Sequence, residues 1–283
     1  MAELDALRAE LLGIGRVAVA FSGGADSAFL AWVATETLSP ENVLCVTAVS
    51  PSLAPEELAD CRALAAEWGL RHLEIETEEL ADPAYSANDG SRCYHCKATL
   101  MDALAEACAD KAAEAEGTAQ QDDGDRWTVA LGVNLDDLGD YRPGQTAAAE
   151  RGARFPLVDA GFTKDAVRSC SHELGLRTWD KPAAACLASR VPYGTPVTLE
   201  TLRSVADAES ALRALGFRQV RVRHYGETAR IELPAEDLAT AVGRRDEITL
   251  AVHAAGYRYV TLDLDGFRSG NLNAALAGAE VAR

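Results

Sequence analysis

Apolar positions along the chain fall into short continuous runs, separated by segments with helical spacing. "RVAVAFSGG" (16–24) is an apolar run that ends in two glycines, and "ADSAFLAWVATETL" follows with Phe29, Leu30, Val33 and Leu38 at helical intervals. "NVLCVTAVS" (42–50) and "HLEIETEEL" (72–80) predict two more strands, on either side of a helix over 55–69 that Gly69 closes. "RWTVALGVNLDD" (126–137) contains a fourth, almost continuously apolar strand. Apolar strands alternating with helices predict an α/β fold: a parallel sheet with helices on both faces. An Ala/Glu-rich helix is predicted over 99–117, followed by a polar loop, "TAQQDDGD" (118–125).

The pattern changes after about residue 195. "TLETLRSVADAESALRALGF" reads as a helix, and "QVRVRHYG" and "TARIELP" read as alternating strands suited to a hairpin. "AEDLATAVGRRDEITLAVHAAGY" is helical, and "RYVTLDLDGF" is a final strand. This predicts two domains, 1–194 and 195–283, the second a smaller α+β module. No internal repeat is visible.

Composition adds bounds. Of 283 residues, 48% are hydrophobic and 25% charged, the balance of a folded globular chain. The opening "MAELDALRAELLGIGR" is amphipathic without the apolar centre of a signal peptide, and no later stretch is long enough to span a bilayer, so a cytoplasmic protein with no membrane partner is expected. A net charge of -17 opposes a nucleic-acid partner, because such binding draws on Lys and Arg to neutralise phosphates. Seven cysteines, an odd number in a chain without a signal, argue against a disulfide framework. Thiols, metal ligands or reactive sulfur remain.

The candidate chemistry begins at "FSGGADSAFL" (21–30). Gly23 and Gly24 permit a tight turn, the following helix presents unpaired N–H groups and a positive dipole end, and Ser22 and Ser27 add hydroxyls. Such a loop fits a phosphate chain; the plainer alternative is a turn that only starts a helix. "GVNLDDLGDYRPG" (132–144) follows the fourth strand, at the sheet edge where ligands collect. There Asp136, Asp137 and Asp140 read as a solvated acidic loop, and Arg142 as a substrate or phosphate contact.

The cysteines divide by context. Cys45 in a strand, and Cys61 and Cys108 on helices, read as core. Cys93 and Cys96 form a C-x-x-C that suits a metal, part of an iron–sulfur site or a redox pair. Cys170 and His172 are possible further zinc ligands, but at two positions apart on a helix they do not face one another. Cys186, in "KPAAACLASR" (181–190), is open between an inert core thiol and a nucleophile or ligand activated by Lys181, Arg190 or Arg154.

Family resemblance narrows these choices. Ser22 to Ser27 match S-G-G-x-D-S, the signature of the PP-loop ATP pyrophosphatases, and the chain resembles that superfamily there. With "RCYHCK", "NLDDLGDYRPG", "KPAAACLASRVPYG", "VRVRHYGETARIEL" and "VTLDLDGFRSGNLN" in the same order, it resembles the LarE-type ATP-dependent sulfur transferases from about residue 16 to about 273. The resemblance implies a PP-loop domain over 1–194, with 195–283 for substrate binding and oligomerisation. It implies ATP and Mg2+ at Ser22, Gly23, Gly24, Asp26 and Ser27, with Asp26 near the pyrophosphate and its magnesium. The implied substrate is a small nucleotide with carboxylates, pyridinium biscarboxylic acid mononucleotide, which is adenylated and converted to thiocarboxylates on the way to the nickel-pincer nucleotide cofactor.

Ser189, Arg190 and Glu209 fall in the family's substrate region, and Arg221 and Arg223, alternating on one strand, suit the nucleotide phosphate. One version of the family sacrifices the sulfur of a cysteine at the Cys186 position. The other holds a 4Fe-4S cluster on three cysteines and takes a hydrosulfide from it; Cys93, Cys96 and Cys186 supply that ligand count. A cluster-dependent, homo-oligomeric sulfur transferase is therefore expected. The rival readings are an amidating synthetase of the NAD or GMP type, a tRNA thiolase, and a nucleotide-binding regulatory module with zinc at the C-x-x-C.

Overall fold

The computed structural model describes residues 2–115, 126–139, 143–182 and 184–268, which divide into two compact units. The first runs to Ser50 and includes Glu56–Glu79 and Cys93–Ala184. The second comprises Pro51–Pro55, Leu80–Arg92 and the chain from Ala185 on. The units thus divide at 184/185, within "KPAAACLASR", and two earlier segments join the second unit. The loop read over 118–125 lies outside the described residues.

In chain order the elements are α1 (Ala2–Ile14), β1 (Val17–Ala20), α2 (Ala25–Leu38), β2 (Val43–Val49), α3 (Pro55–Trp68), β3 (His72–Glu76), α4 (Pro83–Ser86), α5 (Arg92–Ala115), β4 (Thr128–Leu131), α6 (Pro143–Glu150), α7 (Pro156–Asp159), α8 (Lys164–Glu173), α9 (Leu199–Ala214), β5 (Arg221–Tyr225), β6 (Thr228–Glu232), α10 (Leu238–Gly243), α11 (Arg245–Ala254) and β7 (Tyr259–Leu262).

In the first unit β3, β2, β1 and β4 pair in that order, all parallel, with Val19 opposite both Cys45 and Ala130. Strand alternation sends Val17, Val19, Val43 and Cys45 into a core with Leu7 and Leu11 of α1, Phe29 and Leu30 of α2, and Val167 of α8. Ala18, Leu44 and Val46 point the other way, onto Met101 and Leu104 of α5 and Ala148 of α6. Both faces are therefore covered, as the apolar strands predict. Each fully buried leucine or phenylalanine here contributes roughly 1.5–3 kcal/mol. Helix α2 buries nine of its residues, from Ala25 to Leu38, so its N-terminus is fixed against the sheet.

The second unit holds a three-stranded sheet in the order β5-β6-β7. β5 and β6 form the expected hairpin, with Tyr225 opposite Thr228 and Gly226 at φ +61°, the positive φ that a two-residue turn of this kind needs. β7 pairs parallel to β6, a connection that requires the intervening α10 and α11. Leu212 of α9, Val222, Ile231 and Val252 share the core.

Three boundaries differ from the sequence reading. α5 starts at Arg92 rather than 99, because Asp89 organises its entry: its carboxylate accepts from Ser91 N (2.7 Å) and its carbonyl from Arg92 N (3.1 Å). Cys93 and Cys96 therefore sit in the first turns of a helix. β3 ends at Glu76, four residues short of the 72–80 expected, where Thr77 turns to donate to Glu79 (3.0 Å). The helical stretch after Ala235 breaks at Gly243–Arg244 into α10 and α11.

Candidate nucleotide loop and cysteine-bearing turn

The glycine loop is pinned before it begins. Phe21 N donates to Val46 O (2.8 Å), and the Thr47 hydroxyl donates to Phe21 O (2.6 Å). Thr47 Oγ1 also lies 2.8 Å from His72 Nε2 and can accept a hydrogen bond from it. Burial pushes the His72 pKa down.

Gly23 then turns at φ +67°, where a Cβ would stand 2.9 Å from Cys61 Sγ, and Gly24 caps α2 in extended conformation. Ser27 Oγ donates to Gly24 O (3.2 Å), accepts from Ser22 N (3.2 Å) and meets Ser22 Oγ at 3.0 Å. The two serine hydroxyls thus tie the loop to itself, leaving the amides at the start of α2 as its anion donors.

Asp26 projects from the first turn of α2. Its carboxylate accepts from Asn134 Nδ2 (3.1 Å) and forms a short ion pair with the Lys164 ammonium. Asp136 accepts from Lys164 N (2.6 Å) and Asp137 from Asn134 N (3.1 Å), so these acids shape the loop after β4 as well as facing water. Gly132, just past β4, lies against the loop itself: a Cβ there would come within 2.7 Å of Ser27 N and 2.8 Å of Asp26 C. Arg142 and Asp140 lie outside the described residues.

Burial sorts the cysteines. Cys45, Cys61, Cys108 and Cys170 are buried, and burial raises the pKa of each, to about 12 for Cys45 and about 11 for Cys61 and Cys108. Cys93 is exposed and Cys96 half-buried, three positions apart on one face of α5; Cys186 is exposed. α6 packs on that turn of α5, where a Cβ at Gly144 would stand 3.0 Å from Cys93 O. Among the described residues no three His, Cys, Asp or Glu side chains gather as a metal site. The Cys170–His172 pairing does not form: Cys170 is buried, and His172 sets its ring edge on Trp179 at 4.7 Å.

Cys186 caps a 3-10 turn, Leu187–Arg190, in the second unit. Of the three cations considered for it, Lys181 is engaged by Glu57 (2.9 Å) and Asp60, and Arg154 by Glu10 and Asp159. Arg190 is the one at the turn, and it meets the Cys186 carbonyl (3.2 Å).

The rest of the predicted substrate region forms a buried charge cluster in this unit. Glu209, fully buried on α9, accepts from Arg190 Nε (2.8 Å), Arg190 Nη2 (3.0 Å), Arg213 Nη2 (2.8 Å) and Val222 N (3.0 Å). Arg223 donates to Glu232 (2.9 Å) and to Ser189 O (2.8 Å). Arg221 stacks over Phe267 (4.6 Å); burial, with the Arg190 and Arg223 cations nearby, brings its pKa down to about 10. Arg190, Arg221 and Arg223 are thus brought together as buried groups.

Lys164, Asn134 and Gly132 escape the sequence reading, as do Asn88 and Arg92, which hold the Cys186 turn and the loop after it. One signal was present: Lys164 opens α8 after the cap Thr163, and a cation at a helix N-terminus opposes the dipole. Asn88 occupies positive φ (+55°), which no sequence pattern announces.

A family model described as NAD synthase matches residues 7–102, the part that carries the glycine loop. Over 276 residues the chain is 45% identical to an uncharacterized protein of Synechocystis, covering 97% of this chain and 98% of that protein. It is 37% identical over 276 residues to the pyridinium-3,5-bisthiocarboxylic acid mononucleotide synthase of Lactiplantibacillus plantarum, covering 98% of this chain and 95% of the synthase. An uncharacterized protein of Methanocaldococcus jannaschii is 25% identical, over 90% of this chain and 91% of its own length. With that loop at the end of β1 and near-complete coverage of the synthase, the chain belongs to the LarE-type ATP-dependent sulfur transferases of the PP-loop superfamily.

Proposed function

We propose that the protein adenylates the carboxylates of pyridinium biscarboxylic acid mononucleotide and converts them to thiocarboxylates, in nickel-pincer nucleotide synthesis, with Cys93, Cys96 and Cys186 serving sulfur delivery. The observation that carries this reading is the sorting of the cysteines: four are buried with raised pKa values, and the three that escape burial are those the chemistry calls for.

In the first step a substrate carboxylate oxygen attacks the α-phosphorus of ATP, and the bond to pyrophosphate breaks, leaving an acyl-adenylate. The α2 N-terminus receives the phosphates, and Lys164 moves its charge from Asp26 toward them. Magnesium, when bound beside Asp26, offsets charge on the leaving pyrophosphate. Arg221 and Arg223 hold the substrate's own phosphate; the crowding of cations that lowers the Arg221 pKa is relieved by an anion.

The thiol donors fit an iron–sulfur group in kind: Cys93 and Cys96 share a helix face, and they and Cys186 are accessible. Cys93, Cys96 and Cys186 would be the ligands of a 4Fe-4S cluster, which would supply sulfide-level sulfur in exchange for the AMP leaving the activated carboxyl. A cytoplasmic homo-oligomer belongs to the same proposal, and sedimentation measures the oligomer. The test of the activity is mass spectrometry of anaerobic reactions: thiocarboxylate, AMP and pyrophosphate together support it. AMP and pyrophosphate with an amide, or no pyrophosphate at all, contradict it.

A further inference from the structure

We propose that Arg190 and Glu209 are positioning residues for Cys186, holding the backbone of its turn, rather than ligands of the substrate. The inference rests on the reading of Cys186 as the sulfur-delivering position.

The guanidinium of Arg190 is already engaged. Nε and Nη2 fork onto Glu209, while Nη1 faces Ala185 O (2.7 Å), Cys186 O (3.2 Å) and Ser189 Oγ (3.0 Å). Arg190 is 5% exposed and Glu209 is 0% exposed. Each carboxylate oxygen of Glu209 accepts two hydrogen bonds, which fills its ordinary capacity. Glu209 has no lone pair to spare for a substrate group, and Arg190 spends Nε, both Nη1 hydrogens and one Nη2 hydrogen on these protein partners. What the pair does hold is geometry: Glu209 joins α9 to the Val222 amide of β5 and orients the guanidinium, and its Nη1 holds the two carbonyls that flank the Cys186 Cα, those of Ala185 and of Cys186 itself.

The next carbonyls are held in the same manner. Arg92 donates to Ala188 O (2.8 Å), Arg223 to Ser189 O (2.8 Å), and buried Asn88 to Pro192 O (2.8 Å) and Thr195 O (2.7 Å). A turn fastened through its carbonyls leaves the Cys186 side chain exposed while its backbone is fixed. A buried ion pair adds little net stability over apolar residues of the same size, so an arrangement this saturated is better explained by positioning than by stability.

The test uses the full-length protein with Arg190→Lys, which keeps the charge and loses the fork, and Glu209→Gln, which keeps the shape and loses the charge. Peptide-resolved alkylation by iodoacetamide should change several-fold in rate at Cys186 and stay unchanged at Cys93. The sulfur-transfer kcat should fall by on the order of 100-fold, as for a misplaced reacting group, with the Kd for the mononucleotide held near wild type. An unchanged Cys186 alkylation rate, or a Kd that rises by the full factor lost from kcat/KM, overturns the proposal. Cys186→Ala separates this from the function itself: sulfur transfer surviving in that variant defeats the reading of Cys186, whereas the alkylation rates of the other two variants judge the positioning alone.

Discussion

Gly132 lies so close to Ser27 that a Cβ added to it would stand 2.7 Å from the Ser27 amide nitrogen and 2.9 Å from its Cα. The obstacle is backbone, at the buried end of α2, and cannot swing aside. The start of the fourth strand's loop and the nucleotide loop are therefore one packed object.

Gly132→Ala should push the first turn of α2 out of register with its ligand. Overpacking of this kind costs about 1–3 kcal/mol, so ATP affinity should drop by roughly one to two powers of ten if the strain is relieved at the loop. Calorimetric titration with a nonhydrolysable ATP analogue measures it. Wild-type affinity would show that the loop tolerates the displacement and does not form the ATP site.

Lys164 and Asp26 are a partly exposed pair, with side chains 31% and 20% accessible, so their attraction adds no more than about 1 kcal/mol to stability. Lys164→Met should leave the melting temperature nearly unchanged while lowering the rate of pyrophosphate release at saturating mononucleotide. A variant that loses stability instead, and keeps its rate, would make Lys164 a structural tether.

Much of this was legible in the residues, and the limits have physical causes. The apolar strands, the glycine loop and the change of pattern near 195 depend on local periodicity, so they could be read directly. Lys164 meets Asp26 across a sequence separation of 138 residues, and Asn88 meets Thr195 across 107; only folding brings them together. The start of α5 was missed because Asp89 sets it from outside the helix. Arg221 and Arg223 were rightly placed on one strand, yet alternation could not tell that both would be buried beside Glu209 and Glu232.

Arg221 makes a prediction with a definite sign. Its pKa is lowered to about 10 in the fold from an ordinary 12.5, because burial and the neighbouring cations disfavour the charged form. The unfolded chain binds that proton more tightly, so charged Arg221 works against folding at neutral pH, and the penalty fades as pH rises above about 10. Inorganic phosphate or the mononucleotide should raise the melting temperature of the wild type, and Arg221→Met should abolish that rise without lowering the ligand-free value. A phosphate effect that persists in Arg221→Met would place the anion elsewhere.

The buried thiols act in the alkaline range. Cys45 is held up at about 12 and Cys61 and Cys108 at about 11, against an ordinary 9.0, so their contribution is complete below pH 9.0 and is lost as pH rises through those folded values. The urea midpoint should fall above pH 9.0, and Cys45→Val should fall less steeply than wild type. Equal slopes would mean that Cys45 ionises without cost in the native sheet.

The most direct test of the central claim is the number of thiocarboxylates formed per chain by anaerobically reconstituted protein with excess ATP, mononucleotide and sulfide, read together with the intact mass of the spent protein. Delivery through Cys93, Cys96 and Cys186 as ligands predicts more than one thiocarboxylate per chain, an unaltered mass at Cys186, and loss of product in Cys93→Ser. A reaction that stops at one sulfur per chain, with Cys186 lighter by one hydrogen sulfide and Cys93→Ser fully active, would contradict it.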